Sequence, residues 1–400
     1  MHKKAAISLF IFGIFALAPQ LEAQRSIEPV SINIADTGAF SIVERSDLRR
    51  FDNGRYTGLV YQELRASMLP VLTENRARTN GSLMYQGNFF VMQNTMRDAL
   101  QVAQGVEAVI PVSFELTQNG DIFIENDQGF PRLRGFPSFP ARSLRPGDRW
   151  QAPGSRAADP LNYSNPLIIP FIAGYEYRGM EVYRGMMVHR INASYASRYQ
   201  NTSNGESVFH RIEGSHNVDI LVRVEDGLLV FMRDNLDVTY TMTDSSTVRF
   251  AGFTLTFGHG IVPMDRGQVI AAINIPDSAI DIAQVPGGIR LTIRDIRFAA
   301  DSAEFLPEER YRLDLIAEAL RQVPDRNFLV DGHTASVGRP AGEMELSIAR
   351  ARRMIDEMVN RGIRADRFIY KGWGGTMPVD DNSSEAGRNN NRRVEITILE

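Results

Sequence analysis

The sequence predicts a multidomain α+β protein, with an N-terminal α+β module, a central antiparallel β-sandwich and a C-terminal domain of the order β-α-β-α-β-β. The first third of the chain mixes the spacings of helices and strands, the middle third alternates apolar with polar residues, and the last third alternates strand-like with helix-like segments. We expect a signal peptide at 1–23 and domains at 24–125, 126–285 and 286–400.

Composition bounds the function. The chain has 400 residues, of which 43% are hydrophobic and 23% are charged, a balance typical of a globular protein with more than one core. Its formal charge of -4 gives no overall bias toward nucleic acid, so no nucleic-acid partner is expected. The chain has no cysteine, which excludes disulfides, thiolate metal sites and a lipid-modified cysteine.

The first residues have the pattern of a secretory signal. A basic start, His2-Lys3-Lys4, precedes the apolar stretch from Ala5 to Ala18, and Leu21-Glu22-Ala23 suits a signal peptidase. The apolar stretch is shorter than the roughly 20 residues that span a bilayer, and Pro19 ends it, which disfavours a retained anchor. We expect cleavage after Ala23 and a location in the periplasm or at the outer membrane.

The N-terminal module combines two predicted helices with strands. Apolar residues recur at helical spacing before Pro70 and again before Gly105. The two stripes are Leu59, Val60, Leu64 and Met68, and then Met96, Ala99, Leu100 and Ala103. Strands are predicted at Ser31 to Ile34, Asn88 to Met92 and Val106 to Leu116.

The central region has the pattern of an antiparallel meander. From Val218 to Val224 apolar and polar residues alternate, and Asp226-Gly227 supplies a hairpin turn. Gly252 is expected to form a β-bulge, and Trp150, after a stretch rich in Pro and Gly, is expected to pack in the core. A soluble sandwich is favoured over a transmembrane barrel because the predicted helices upstream do not fit a barrel.

Strands and helices alternate in the C-terminal region. The predicted strands are Leu291 to Phe298, Phe328 to Val330, Arg367 to Lys371 and Arg393 to Leu399. One helix follows the acidic segment 301–309, and a second runs from Glu343 to Asn360, each with one apolar stripe. Two such crossover helices would cover one face of a mixed sheet.

Four motifs in this region resemble those of a known family. They are Ile296-Arg297-Phe298 with Leu306, Val330-Asp-Gly-His-Thr334, Leu346-Ser-Ile-Ala-Arg-Ala351, and Gly387 with Asn391-Arg-Arg-Val-Glu-Ile396. From about residue 289 to 400 the chain resembles the OmpA C-terminal-like domain. Outer-membrane porins of that type, the peptidoglycan-associated lipoprotein and the flagellar stator B subunit share this domain.

The resemblance implies a groove that holds the stem peptide of peptidoglycan by the zwitterionic end of its diamino acid. The fork of an arginine suits the carboxylate, and an acid suits the ammonium. Carried over by motif, the groove residues are Thr334, Arg350, Asn391 and Arg392. Ala335 stands where the family has the acid, and Glu343 where it has the asparagine that starts the helix. The fold motifs are intact, whereas both departures fall on ligand positions.

Alternatives for the groove stay open. Loss of the acid without a replacement would weaken binding about ten- to a hundredfold, since a charge-assisted hydrogen bond contributes roughly 1.5–3 kcal/mol. Glu343 or Glu345 would supply another carboxylate, or the ligand would offer a carboxylate without an ammonium. A purely structural role for Arg350 would be a surface pair with Asp331 or Glu343.

No motif typical of an enzyme is present. The six histidines are spread out, with no pair at metal-ligand spacing, and His333 is expected to be a hydrogen-bonded turn residue. Gly-x-Ser-x-Gly and phosphate-binding glycine loops are absent, and Gly372-Trp373-Gly374-Gly375 is expected to form a turn. No catalysis, metal or cofactor is therefore expected.

These patterns predict a non-enzymatic envelope protein that the C-terminal domain positions at peptidoglycan, with other envelope proteins as further partners. The first alternative is a periplasmic binding or scaffold module whose β-sandwich holds a ligand or partner, which an apolar cavity would favour. Two further alternatives are an outer-membrane barrel with a periplasmic foot and a stator-like anchor, which would need a retained membrane helix.

Overall fold

Two β-sheets organise the molecule. The computed structural model describes residues 29–34, 38–71, 82–93, 103–159, 166–201, 207–273, 275–294, 296–299 and 302–400. The signal-peptide prediction and the predicted helix at Met96 to Leu100 lie outside these residues. One sheet has twelve strands and the other has six.

The larger sheet is antiparallel and takes strands from both the expected N-terminal module and the expected sandwich. In space its strands run in the order β6-β5-β3-β2-β1-β13-β12-β11-β10-β9-β8-β7. Their bounds are β1 Phe40–Asp52, β2 Arg55–Pro70, β3 Leu83–Gln93, β5 Ala108–Leu116, β6 Ile122–Ile124, β7 Leu133–Arg134, β8 Arg149–Ala158, β9 Leu167–Tyr183, β10 Met186–Gln200, β11 Phe209–Arg223, β12 Leu229–Met242 and β13 Thr247–Gly260. Pairing of β1 with β13 joins the two expected units in one sheet.

The helix predicted around Leu59 to Met68 is wrong, because these residues belong to strand β2. Leu64 and Met68 are four residues apart, a spacing that suits one face of a helix and equally one face of a strand. Pairing with β1 and β3 on both sides decides for the strand. The α+β character expected for this part of the chain therefore gives way to β-structure in the described residues.

Two other details of the large sheet were expected, with different outcomes. The hairpin at Asp226-Gly227 is confirmed, since it joins β11 to β12. The bulge at Gly252 is wrong, because β13 pairs with β1 and β12 there without a shift in register. A Cβ at Gly252 would lie 2.2 Å from the carbonyl oxygen of Asp47, so the glycine permits a close approach of backbones.

The sheet buries one face, here called the inner face, against the segment 128–144. Phe136, Phe139 and Leu144 from this segment are buried among inward side chains of β9, β10 and β11. Trp150 stacks on Tyr175 with ring centroids 5.0 Å apart, and is half-buried at the edge of this core. A single curved sheet closed by this segment replaces the two facing sheets expected for a sandwich.

The smaller sheet carries the C-terminal domain. Its spatial order is β14-β15-β18-β16-β17-β4, in which β16 runs parallel to β17 and antiparallel to β18. The bounds are β4 Gln104–Gly105, β14 Ile280–Val285, β15 Gly288–Ile293, β16 Phe328–Gly332, β17 Phe368–Gly372 and β18 Val394–Leu399, with helices α1 Arg266–Ala272, α2 Arg310–Arg321, α3 Pro340–Asn360 and α4 Glu385–Asn391.

The C-terminal sequence patterns were interpreted correctly for the main elements. The apolar stripes of α2 and α3 are buried against one face of the sheet, together with inward residues of β15, β16 and β18. Sequence patterns missed α4 and also β14, which pairs with β15 across the expected boundary at residue 286. None of the helices in the described ranges is long and apolar enough to cross a membrane.

The two sheets are joined by an apolar interface and by strand pairing. Phe90 and Met92, on the outer face of β3, pack with Leu329 and Ile369 of the smaller sheet. Strand β4, only two residues long, pairs in parallel with the edge strand β17 and continues the smaller sheet. Lys371 on β17 also donates to the backbone oxygen of Glu107. The C-terminal domain is therefore fixed against the first part of the chain.

Candidate functional site

The candidate groove lies where the C-terminal ends of β16 and β17 meet the start of α3. Glu343, Ser347 and Arg350 follow one another at spacings of four and three residues, which places them on one face of the helix. All three are buried, so this face is turned toward the strand ends. The chain leaves β16 at Thr334 and Ala335, and both residues are also buried.

Two glycines let the helix sit directly on the strand ends. A Cβ at Gly332 would lie 2.1 Å from the carbonyl oxygen of Ser347, and one at Gly372 would lie 2.5 Å from the Ser347 Oγ. The Ser347 hydroxyl donates to the oxygen of Met344 at 2.7 Å and accepts the N–H of Gly374 at 2.9 Å. Ser347, which the sequence analysis did not assign to the site, therefore ties the helix to the loop after β17.

Arg350 is held between the helix and the loop that precedes α2. Its Cζ lies 4.5 Å from the ring centroid of Phe298, and its Nε donates to the oxygen of Ser302 at 3.4 Å. A guanidinium over an aromatic face gains roughly 0.5–2 kcal/mol from the ring quadrupole. The two contacts orient the guanidinium plane, as bidentate recognition of a carboxylate requires.

The end of β16 provides a polar group that has no hydrogen-bond partner among the described residues. Thr334 donates its backbone N–H to the oxygen of Gly374 at 2.9 Å. Within the part of the chain that the structure describes, the buried Thr334 Oγ1 has no hydrogen-bond partner. Ala335, the position at which the resemblance led us to expect an acid, contributes only a methyl group. The site therefore contains an available hydroxyl but no carboxylate at this strand end.

The Glu343 carboxylate stabilises the loop that leads into α3. Its Oε1 accepts the backbone N–H of Val337 at 2.7 Å and that of Arg339 at 3.0 Å. These bonds fix the loop that leads into α3, and a carboxylate in the first turn suits the helix dipole. The carboxylate at position 343 is thus largely used by the protein itself, while Glu345 lies exposed on the same helix.

Asn391 and Arg392 stand at the far end of α4. Asn391 is fully buried, and its amide bonds to the backbone of Val379 and Asp380 and to Asn382. Arg392 forms an ion pair with Glu385 at 2.5 Å. Asn391 shapes the loop around residue 380 from inside, and Arg392 is the part-exposed charge at the surface.

The opposite face of the same strand ends buries a charged cluster. Asp331 accepts the indole N–H of Trp373 at 2.7 Å, and burial raises the pKa of Asp331 to about 7. The pKa of His333 is lowered to about 4 by burial, and neither ring nitrogen bonds to any described residue. The backbone N–H of His333 donates to the carbonyl oxygen of Arg393 at 3.0 Å. The hydrogen bond expected of a turn residue is therefore made by the backbone of His333 and not by its ring.

The described residues contain no group of three or more His, Asp or Glu side chains arranged to hold a metal ion. What the arrangement offers is recognition. One oriented guanidinium, one hydroxyl and backbone N–H groups line the strand ends, and these can donate hydrogen bonds to a peptide carboxylate.

Comparisons with known proteins concern this domain. Residues 297–392 match the model of the OmpA family. Outer membrane porin F of Pseudomonas fluorescens is 36% identical over 104 residues, covering 26% of this chain and 32% of that protein. Peptidoglycan-binding protein ArfA of Mycobacterium tuberculosis is 33% identical over 103 residues, covering 26% of this chain and 32% of that protein.

A solved structure also matches part of the chain. The structure of the cell wall anchor of the T6SS from Pseudomonas aeruginosa is 33% identical and covers 34% of this chain and 96% of that chain, with a TM-score of 0.29. The chain spans about a third of the length of the two curated relatives above. The family resemblance drawn from the four motifs is confirmed for the C-terminal domain.

Proposed function

Residues 297–392 form an OmpA-family domain, and from this premise we propose that the protein associates with peptidoglycan as a non-enzymatic component of the bacterial envelope, in the periplasm or at the outer membrane. The observation that carries the proposal is the oriented Arg350 in the groove of that domain. A relative named a peptidoglycan-binding protein, 33% identical over the same region, supports it.

In this proposal Arg350 binds a carboxylate of the stem peptide, and the Thr334 hydroxyl and nearby backbone groups complete the contact. The ammonium of the diamino acid meets Ala335 and no carboxylate from that position. Glu343 is a poor replacement for the acid, because its Oε1 already accepts two backbone N–H groups and only its Oε2 remains for a ligand. Binding is therefore weaker than an intact pair of Arg and Asp would give, by about ten- to a hundredfold.

The test is co-sedimentation of the purified chain, from residue 24 onward, with insoluble peptidoglycan sacculi. We expect native protein to sediment, Arg350→Ala to lose at least about nine-tenths of the binding, and Ala335→Asp to bind more tightly than native. Arg364→Ala is the matched control, because Arg364 is exposed and pairs only with its neighbour Asp366 among described residues. Thermal unfolding of each variant separates lost binding from lost folding.

Native protein that stays in the supernatant at every concentration would refute the proposal. Equal sedimentation of native and Arg350→Ala would place the binding outside this groove. Arg350→Lys provides a second check, since it keeps the positive charge but loses the planar fork, and we expect it to bind between the native and alanine forms.

A further inference from the structure

Two neighbouring cavities, both partly open to solvent, lie along the inner face of the large sheet. The first, of about 160 Å³, is walled mainly by apolar side chains. These include Phe40, Ile42, Met68, Phe89, Phe114 and Leu116. The second, of about 270 Å³, has a mixed lining that includes Ser46, Gln62, Tyr61, Thr254 and Arg156. Together they amount to about 430 Å³, within the range of about 300–1,000 Å³ of small-molecule sites.

The strands themselves connect the two cavities. Along β2, Leu64 lines the first cavity and Gln62, the next inward residue, lines the second. Along β13, Thr256 and Thr254 make the same step. Because inward side chains recur every second residue, the two spaces lie end to end under the same strands. The lining residues change from mainly apolar in the first cavity to mixed in the second.

Arg132 lines both cavities and stands at this change. Its side chain makes one hydrogen bond to the described residues, from an Nη to Gln62 at 2.5 Å, and the nearest carboxylate oxygen of Glu44 is 3.8 Å away. A guanidinium has five N–H donors. The side chain is 23% exposed and lines both cavities, so donors remain for a ligand there. Burial lowers the pKa of Arg132, which reflects the cost of keeping this charge there.

The second arginine, Arg156, is committed to the protein. It donates to the Tyr195 hydroxyl at 2.9 Å and to Asp234 at 3.3 Å, and Asp234 also accepts from His216. Arg156 thus has a carboxylate within hydrogen-bond distance, whereas the nearest carboxylate oxygen to Arg132 is 3.8 Å away and makes no hydrogen bond with it. Arg132 is therefore the residue that would meet the ligand.

We propose that these joined cavities bind a single-chain amphiphile with one negative charge, such as a fatty acid. Its carboxylate bonds to Arg132, and its alkyl chain lies in the apolar cavity against residues such as Ile42 and Met68. Glu44 and Asp159 lie near Arg132 and repel an anion, so a singly charged head fits better than a phosphate dianion. This site is separate from the groove of the C-terminal domain and does not depend on it.

The test uses the chain from residue 24 onward, passed over a hydrophobic resin to remove bound amphiphiles and titrated by calorimetry below the micelle concentration. The probes are dodecanoate and dodecyltrimethylammonium, which share a chain length and differ in head-group charge. We expect saturable one-to-one binding of dodecanoate, at least tenfold tighter than binding of the cation. This comparison needs no variant, so it stands even where a variant misfolds.

Variants then locate the head group. Arg132→Gln should weaken dodecanoate binding at least tenfold and leave the cation no weaker. Arg249→Gln is the control, because Arg249 carries an exposed ion pair with Asp237 on the outer face. Absence of saturable dodecanoate binding, tighter binding of the cation, or equal affinity of native and Arg132→Gln for dodecanoate would each overturn the proposal.

Discussion

The two sheets bury charged groups in different ways. In the large sheet, the Asp234 carboxylate is fully enclosed by donors: His216 at 2.8 Å, Arg156 at 3.3 Å and the Tyr195 hydroxyl at 3.4 Å. In the small sheet, the Asp331 carboxylate accepts the indole N–H of Trp373 at 2.7 Å, and the ring of neighbouring His333 makes no hydrogen bond to a described residue.

This difference separates a structural network from a titratable one. A buried carboxylate with three donors has its hydrogen-bonding capacity used and holds its neighbours in place. A buried carboxylate with few donors is driven toward its neutral form near pH 7, as Asp331 is. The first network should therefore contribute mainly to the size of the stability, and Asp331 and His333 should contribute to its pH dependence.

The largest effect is expected at Asp234. Replacing it by alanine, Asp234→Ala, leaves the buried Arg156 charge without its carboxylate, which should lower the free energy of unfolding by about 3–5 kcal/mol. Urea denaturation monitored by tryptophan fluorescence measures the change. Asp237→Ala is the control three residues along the same strand, because its pair with Arg249 is exposed, and it should cost at most about 1 kcal/mol. Equal losses would show that burial of the network contributes nothing.

The next effect is expected at the contact between the sheets. Met92 is fully buried with Leu329 and Ile369, so Met92→Ala should cost about 2–5 kcal/mol through the cavity it leaves. Because these residues come from both sheets, the variant should loosen their association as well. Limited proteolysis of native and variant protein tests this, and cleavage between the sheets should be faster in the variant. Unchanged proteolysis with lowered stability would show that the interface does not couple the two sheets.

The third effect is on how the free energy of unfolding depends on pH. The folded pKa of Asp331, about 7 against 3.8 for a free side chain, makes the folded state less stable as pH rises from about 4 to about 7. The folded pKa of His333, about 4 against 6.5, makes it less stable as pH falls through about 6.5 to 4. The two slopes oppose each other over most of this range.

Each single substitution should therefore remove one of the two opposing contributions and leave the pH dependence of the other visible. Relative to native protein, stability of Asp331→Asn should rise more steeply with pH between about 4 and 6.5, and stability of His333→Gln should fall more steeply. Each difference is at most about 1.4 kcal/mol per pH unit. Chemical denaturation at half-unit steps of pH measures them, and difference curves cancel the contribution of His189 and His216. Parallel curves for all three proteins would refute the roles given to both groups.

The sequence was most informative where short motifs have one structural solution. The stripes of α2 and α3 and the glycines beside Ser347 allow a single packing against β16 and β17, so the C-terminal fold was predictable. In β2, the spacing of Leu64 and Met68 fits both a helix and a strand. The pairing of β2 with β1 and β3 decides for the strand. The partner of a strand cannot be read from its own residues.

The sequence predicted which residues lie at the groove better than it predicted the contacts that they make. Arg350 and Thr334 lie near the strand ends, as their motifs indicated. The use of Glu343 by two backbone N–H groups depends on the turn at Val337 to Arg339, which no local pattern specifies. The burial of Asn391 within the loop near residue 380 likewise depends on the tertiary fold.

The most direct test of the central claim is calorimetric titration of the chain, from residue 24 onward, with a soluble disaccharide–tetrapeptide fragment of peptidoglycan. The account predicts one-to-one binding by native protein, about ten- to a hundredfold weaker for Arg350→Ala, with heat signals that vanish when the terminal carboxylate of the diamino acid is amidated. No binding by folded native protein at millimolar fragment, or equal affinity for the amidated fragment, would contradict a carboxylate held by Arg350.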